Sequence, residues 1–265
     1  MSDIKTWILT FDRPHALNRL IEELGKQGMK CSVFSNHPKV QILNSNKPYV
    51  EDVVVNTLNS THSNSWCARS WNSIMIRSMG NPADRMVLIQ DDTFIAPTYV
   101  SWIYEQSKKY DFMWGPGGDQ WQYITFDVFK NTGYWDERYI GCYCGDADYL
   151  RRVWMNNDHT RISVEEAHPW GFYHNESGIR QNVLTEMHIK MCDPNYENQH
   201  WQLEKGGNPT IKASDKHFFD KWGFTLGDGN PVINSALPKM IDEIDWYPWF
   251  TKIHGVKTGA FNAQN

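Results

Sequence analysis

The chain has 265 residues, 40% of them apolar and 22% charged, a balance that supplies a substantial core and excludes an intrinsically disordered protein. Its formal net charge of -5 comes without any run of lysine or arginine, so no broad basic surface points to a nucleic-acid partner. No window approaches the apolar length of a membrane span, and "MSDIKTWILTFDRP" lacks a secretory pattern, so a cytoplasmic protein with no transmembrane segment and free thiols is expected.

In chain order, "KTWILTF" reads as a strand and "DRPHALNRLIEELGKQG" as an amphipathic helix, with Leu17, Leu20, Ile21 and Leu24 at 3.6-residue spacing. Asp12 is placed to cap that helix, Pro14 sits in its first turn, and Gly25 or Gly28 can end it. "KCSVFSN" and "EDVVVNT" are the next strands. A polar loop, "NTLNSTHSN", leads into a helix with Cys67, Trp71, Ile74 and Met75 on one face. "RMVLIQ" is apolar at nearly every position, as in a central parallel strand covered on both faces. A helix over about 98 to 108, a turn-rich aromatic stretch and a further helix in "GDADYLRRVWMNND" follow. Alternating strands and helices predict an α/β layered fold. Beyond about residue 180 the periodicity weakens, so residues 1–180 are read as a core and 181–265 as an irregular extension packing on it.

In open α/β sheets, ligands bind outside the carboxyl ends of the parallel strands. Asp91 and Asp92 fall at such an end, directly after "VLIQ". Successive residues of an extended chain face opposite sides, so one aspartate can hold a divalent cation while the other serves a hydroxyl or a metal-bound water. Paired with a nucleoside diphosphate, this is a common arrangement; capping of the next helix is the simpler alternative.

Five segments carry a resemblance to the GT-A fold glycosyltransferases of the inverting family-two type. "ILTFDRPHALNRLIEEL" is similar to the family's first strand and helix. "SWCARSWN" resembles its Arg-Asn helix and "LIQDDTFIAP" its variant DxD motif. "VFKNTGYWDERYIGCYCGDADYLRRV" resembles the acceptor-side segment, and "FYHNESG" the segment after it. A later "FFDKWG" matches a terminal element of many members. The resemblance implies a GT-A (Rossmann-like) fold, with a mixed, mostly parallel sheet flanked by helices. It also implies transfer of a sugar from a UDP- or GDP-sugar donor to an acceptor hydroxyl, with Mn2+ or Mg2+ as cofactor.

Carried over residue by residue, the resemblance makes Asp146 the catalytic base, with Asp148 as the alternative. Asp92 becomes the metal ligand and His174 a second ligand, with His168 a nearby competitor. Thr10, Phe11, Asp12, Arg13 and Asp91 contact base and ribose. Arg69 offsets diphosphate charge and Asn72 stands beside it, while Trp114, Gly115, Gly117 and Gly118 of "WGPGGDQW" approach the sugar. Asp146 also suits a helix N-cap, and Arg69 an ordinary surface ion pair. The family's Glu-Asp pair is Gly145-Asp146 here, which leaves a non-catalytic carbohydrate-binding or assembly protein as a second reading. A sugar nucleotidyltransferase needs a glycine-rich loop after the first strand, where this chain has "TFDRPHAL". The acceptor is expected to be a glycan, with a protein side chain or a modified DNA base as alternatives; the aromatic "IDWYPWF" is suited either to pack over the active site or to mediate self-association.

Overall fold

The computed structural model describes residues 4–11, 13–56, 67–91, 93–115, 121–139, 144–164, 179–180, 209–225 and 244–258. Its centre is a seven-stranded sheet in the order β3-β2-β1-β4-β7-β6-β8. These are β1 Ile4–Thr10, β2 Cys31–Ser35, β3 Val50–Val55, β4 Arg85–Gln90, β6 Phe112–Trp114, β7 Trp121–Thr125 and β8 Ile162–Val164. A separate pair joins β5, Phe94–Ile95, antiparallel to β9, Ile179–Arg180. The first four strands are mutually parallel, β7 is antiparallel to both β4 and β6, and β8 is parallel to β6. Within the described sheet only β7 runs against the rest, so the fold is an α/β mixed, mostly parallel sheet.

One expectation needs correction. β4 is central and buried, but its neighbour on one side is antiparallel, with Leu88 opposite Gln122 and Ile89 opposite Trp121. The connection from β6 to β7 is too short for a crossover helix, so the chain must reverse direction there.

Alternation along the strands divides the core into two faces. Leu9, Leu88, Trp114 and Ile124 pack on one side with α2 (Cys67–Ser78), α4 (Phe126–Thr132) and α5 (Gly145–Asn156). Ile8, Val87, Ile89 and Tyr123 pack on the other with α1 (Pro14–Lys26) and α3 (Tyr99–Gln106). The expected apolar stripe of α1 is buried, and Pro14 stands at its first turn, but the cap position is Arg13 and its side chain makes no capping bond. Gly28, at a φ of +80°, follows the helix end, whereas Gly25 lies inside the helix, where a Cβ would meet the Tyr49 ring at 2.3 Å.

The C-terminal part contains more regular structure than its weak periodicity predicts. α6, Pro209–Trp222, buries Phe218 and Trp222 against Tyr139, Cys144 and Ala147 of the core. α7, Pro248–His254, inserts Phe250 beside Phe129. "IDWYPWF" therefore packs partly inward through Tyr247 and Phe250, while Trp249 remains exposed.

Candidate functional site

The chain runs from β1 outward through β2 and β3, then returns to the other side of β1 as β4. That reversal opens a crevice at the carboxyl ends of β1 and β4, the point where doubly wound sheets bind ligands. Thr10 ends β1, Arg13 precedes α1 and Asp91 follows β4, and the three meet there. Asp91 is fully buried; its Oδ2 accepts from the Thr10 hydroxyl at 2.5 Å, and Arg13 Nη2 stands 2.7 Å from its Oδ1. The Asp91 N–H donates to the Leu9 carbonyl at 3.0 Å. Arg19 braces the next turn, donating to the carbonyls of Asp91 at 3.2 Å and Thr93 at 3.0 Å. A buried charge pair persists only when its desolvation is offset by close, well-made contacts, and this one fixes the crevice wall. Asp91 does not cap α3, whose cap position is Thr98.

Beside this cluster a small pocket is bounded by Thr10, Arg13, Pro14, Ser35, Lys39 and Gln41. Phe11 is buried, edge-on to His37 at 5.4 Å. Asn36 stitches three strand ends: its N–H donates to the Thr10 carbonyl at 3.0 Å, and its Oδ1 accepts from Asn56 at 3.0 Å and from Ser70 at 2.9 Å. Ser35, Asn36 and Lys39 were not among the expected site residues. Their signal is the same as that of Asp91, a polar "SNHPK" directly after the apolar "CSVF".

The second element of the site is the start of α5. Cys144 precedes it with a left-handed φ of 64°, and a Cβ on Gly145 would lie 3.1 Å from the Tyr139 Cβ. Asp146 is half-buried and its Oδ1 accepts the Ala147 N–H at 2.8 Å. Burial pushes its carboxyl up to about 6, against the pull of backbone N–H groups in the first turn. Asp148 is fully buried and bonded to Arg152 at 2.9 Å, Lys221 at 2.6 Å and the Trp222 indole at 3.0 Å. Burial works against its charge, yet Lys221 and Arg152 hold the carboxyl below the usual range. So enclosed, Asp148 has no path to a substrate hydroxyl.

Asn72 and Trp114, expected at the nucleotide sugar, are placed in the packed interior instead. The Asn72 amide donates to the Trp135 carbonyl at 2.9 Å and to Glu137 at 3.0 Å, and accepts the Trp135 N–H at 2.8 Å. It clips the "WDE" turn to α2. Trp114 stacks with Phe112 at 5.8 Å and with Trp135 at 6.1 Å, and Trp135 stacks in turn on Tyr149 at 4.5 Å. Arg69, whose side chain is 42% exposed, lies 3.8 Å from Glu137. Gly115 follows β6; its N–H donates to the Trp121 carbonyl at 3.1 Å, and a Cβ would lie 3.1 Å from the Trp121 ring.

Asp12, Asp92, Gly117, Gly118, His168 and His174 lie outside the described residues. Among the described residues no three His, Cys, Asp or Glu side chains converge as metal ligands, and the Asp91 oxygens are already engaged by Arg13 and Thr10. No described helix is long and apolar enough to cross a membrane.

Comparison with solved structures returns a mannosyltransferase of Pyrobaculum calidifontis, in complex with GDP-Man and Mn2+. It is 7% identical at a TM-score of 0.43, over 62% of this chain and 54% of that one. A second glycosyltransferase, the galactosyltransferase LgtC in complex with donor and acceptor sugar analogs, is 6% identical at a TM-score of 0.31, over 61% of this chain and 73% of that one. This chain matches about half the length of the mannosyltransferase, and at these scores neither likeness decides function. No family model matches the chain, and no curated protein matches it.

Proposed function

We propose that the protein is a metal-dependent glycosyltransferase that moves a sugar from a UDP- or GDP-sugar to an acceptor hydroxyl, with inversion, the acceptor being a glycan. The observation that carries this reading is the buried Thr10–Arg13–Asp91 cluster at the reversal of strand order, immediately before Asp92. Such a crevice receives a nucleotide. Its role for Asp91 differs from direct ribose contact: Asp91 holds Arg13 and Thr10 in place as the wall on which the base and ribose rest.

Because Asp91 is spent inside the protein, the metal is assigned to Asp92, with His174 as the second ligand. A bound Mn2+ or Mg2+ would offset the negative charge gained by the departing diphosphate. Arg69 is assigned to offset the same diphosphate charge. Asp146 is the general base: its carboxyl titrates near neutrality, so it is ionised at working pH yet basic enough to take a hydroxyl proton as that oxygen attacks the anomeric carbon.

A non-catalytic carbohydrate-binding protein is the second reading, favoured by Gly145 in place of the family's glutamate, where an added Cβ would lie tight against Tyr139 at 3.1 Å. A product assay separates the two. UDP- and GDP-sugars are screened with Mn2+ or Mg2+ and neutral glycan acceptors. Turnover of one donor by the wild type and not by Asp146→Asn supports the enzyme, and turnover of none contradicts it.

A further inference from the structure

We propose that a cleft between α3 and the β6–β8 end of the sheet is a binding site for a neutral sugar ring, separate from the nucleotide crevice. The cleft encloses about 390 Å³, enough for one or two rings. Its aromatic walls are Trp102, Tyr110 and Trp121, while the Trp114 ring is stacked on Trp135 on the other face of the sheet. It shares no lining residue with the pocket at the ends of β1 and β2.

The aromatic wall is held in place. Trp121 is buried and donates its indole N–H to the Tyr99 hydroxyl at 2.9 Å. Trp102 packs against Trp121 at 5.9 Å and against Tyr99 at 6.3 Å, so the half-buried indole is fixed from within while it lines the cleft. An apolar ring face fixed in this way suits the C–H face of a pyranose. Gln106 and Ser163 supply the polar groups, an amide that both donates and accepts and a hydroxyl that does the same. That set matches sugar hydroxyls. The described residues that line the cleft are aromatic, apolar or neutral polar. At the start of β8, Arg161 and Asp111 pair with each other.

The site does not depend on the transferase reading, and its test needs no nucleotide. Methyl α-mannopyranoside, methyl β-galactopyranoside and methyl β-glucopyranoside are offered to the whole protein, with methyl glucuronide as the charged control. Saturation-transfer NMR and tryptophan emission are recorded. Saturable binding of at least one neutral glycoside is expected, weakened about tenfold or more in Trp102→Ala and in Gln106→Leu, the usual scale of an anchor residue. Trp102→Phe, which keeps a ring, should retain part of it, and any thermal shift with GDP or UDP should be unchanged. Absence of magnetisation transfer to every neutral glycoside overturns the proposal, as does undiminished binding by both folded variants or stronger binding of the glucuronide. Sugar binding without any nucleotide response would leave the cleft standing and remove the transferase.

Discussion

Asp146 and Asp148 stand two residues apart at the start of α5, and their surroundings drive them in opposite directions. Asp146 meets only backbone N–H groups among the described residues and is pushed up to about 6 by burial. Asp148 turns inward to Lys221, Arg152 and Trp222, and is held below the usual carboxylate range despite its burial. One carboxyl is raised by burial alone; the other is held by cations. The joint around Asp148 extends to Asp136, which Lys221 reaches at 3.1 Å, His217 at 3.2 Å and Arg138 at 2.6 Å. Thus α6 is fastened to α5 and the "WDE" turn by a lysine shared between two buried carboxylates, with His217 and Trp222 of the same helix beside it.

The largest effect should come from breaking that joint. Lys221→Met leaves Asp136 and Asp148 without their shared cation, and is expected to cost about 3–5 kcal/mol in urea unfolding, the usual penalty of stranding a buried charge. Asp146→Asn should be the reverse: no loss of stability, but transfer reduced about 10²- to 10⁴-fold while nucleotide binding persists. The wild-type rate should rise with pH through about 6 as Asp146 ionises. Asn72→Leu orphans the Trp135 N–H and is expected to cost about 1–3 kcal/mol in the same unfolding assay.

The smallest effect is in the pH dependence of stability. Because the folded-state pKa of Asp146 is raised, the folded protein binds more protons, so its contribution falls as pH rises from about 4 to 6 and is flat above. Asp136 and Asp148 have the opposite sign: their stabilisation is present above the ordinary carboxylate range and lost as pH falls through their lowered values. Asp146→Asn should therefore gain on the wild type between pH 4 and 7 by a few degrees of melting temperature, and Asp148 variants should not.

Much of the scaffold was legible because local periodicity reports it directly. Leu17, Leu20, Ile21 and Leu24 placed α1, and the apolar run of "RMVLIQ" placed β4 at the centre. The direction of β7 was not legible, because strand pairing is set by connections and not by composition. The polar residue after a buried strand pointed to Asp91, which the structure places beside Thr10 and Arg13; the same pattern marks Asn36 after β2. Motif position alone could not tell a ligand-facing side chain from a buried clip, which is why Asn72 and Trp114 were expected at the sugar. The Lys221 contacts span 73 and 85 residues of chain, so only "DKWG" hinted at them.

The central claim is that the crevice between β1 and β4 holds a nucleoside diphosphate. It is tested most directly by the melting temperature of the protein with UDP or GDP, with and without Mn2+. One nucleotide should stabilise it by about 2.7 kcal/mol at one hundred times its Kd. That shift should be lost in Asp92→Ala and Arg13→Ala and kept in Asp146→Asn. No shift with either nucleotide, metal present or absent, would contradict the account.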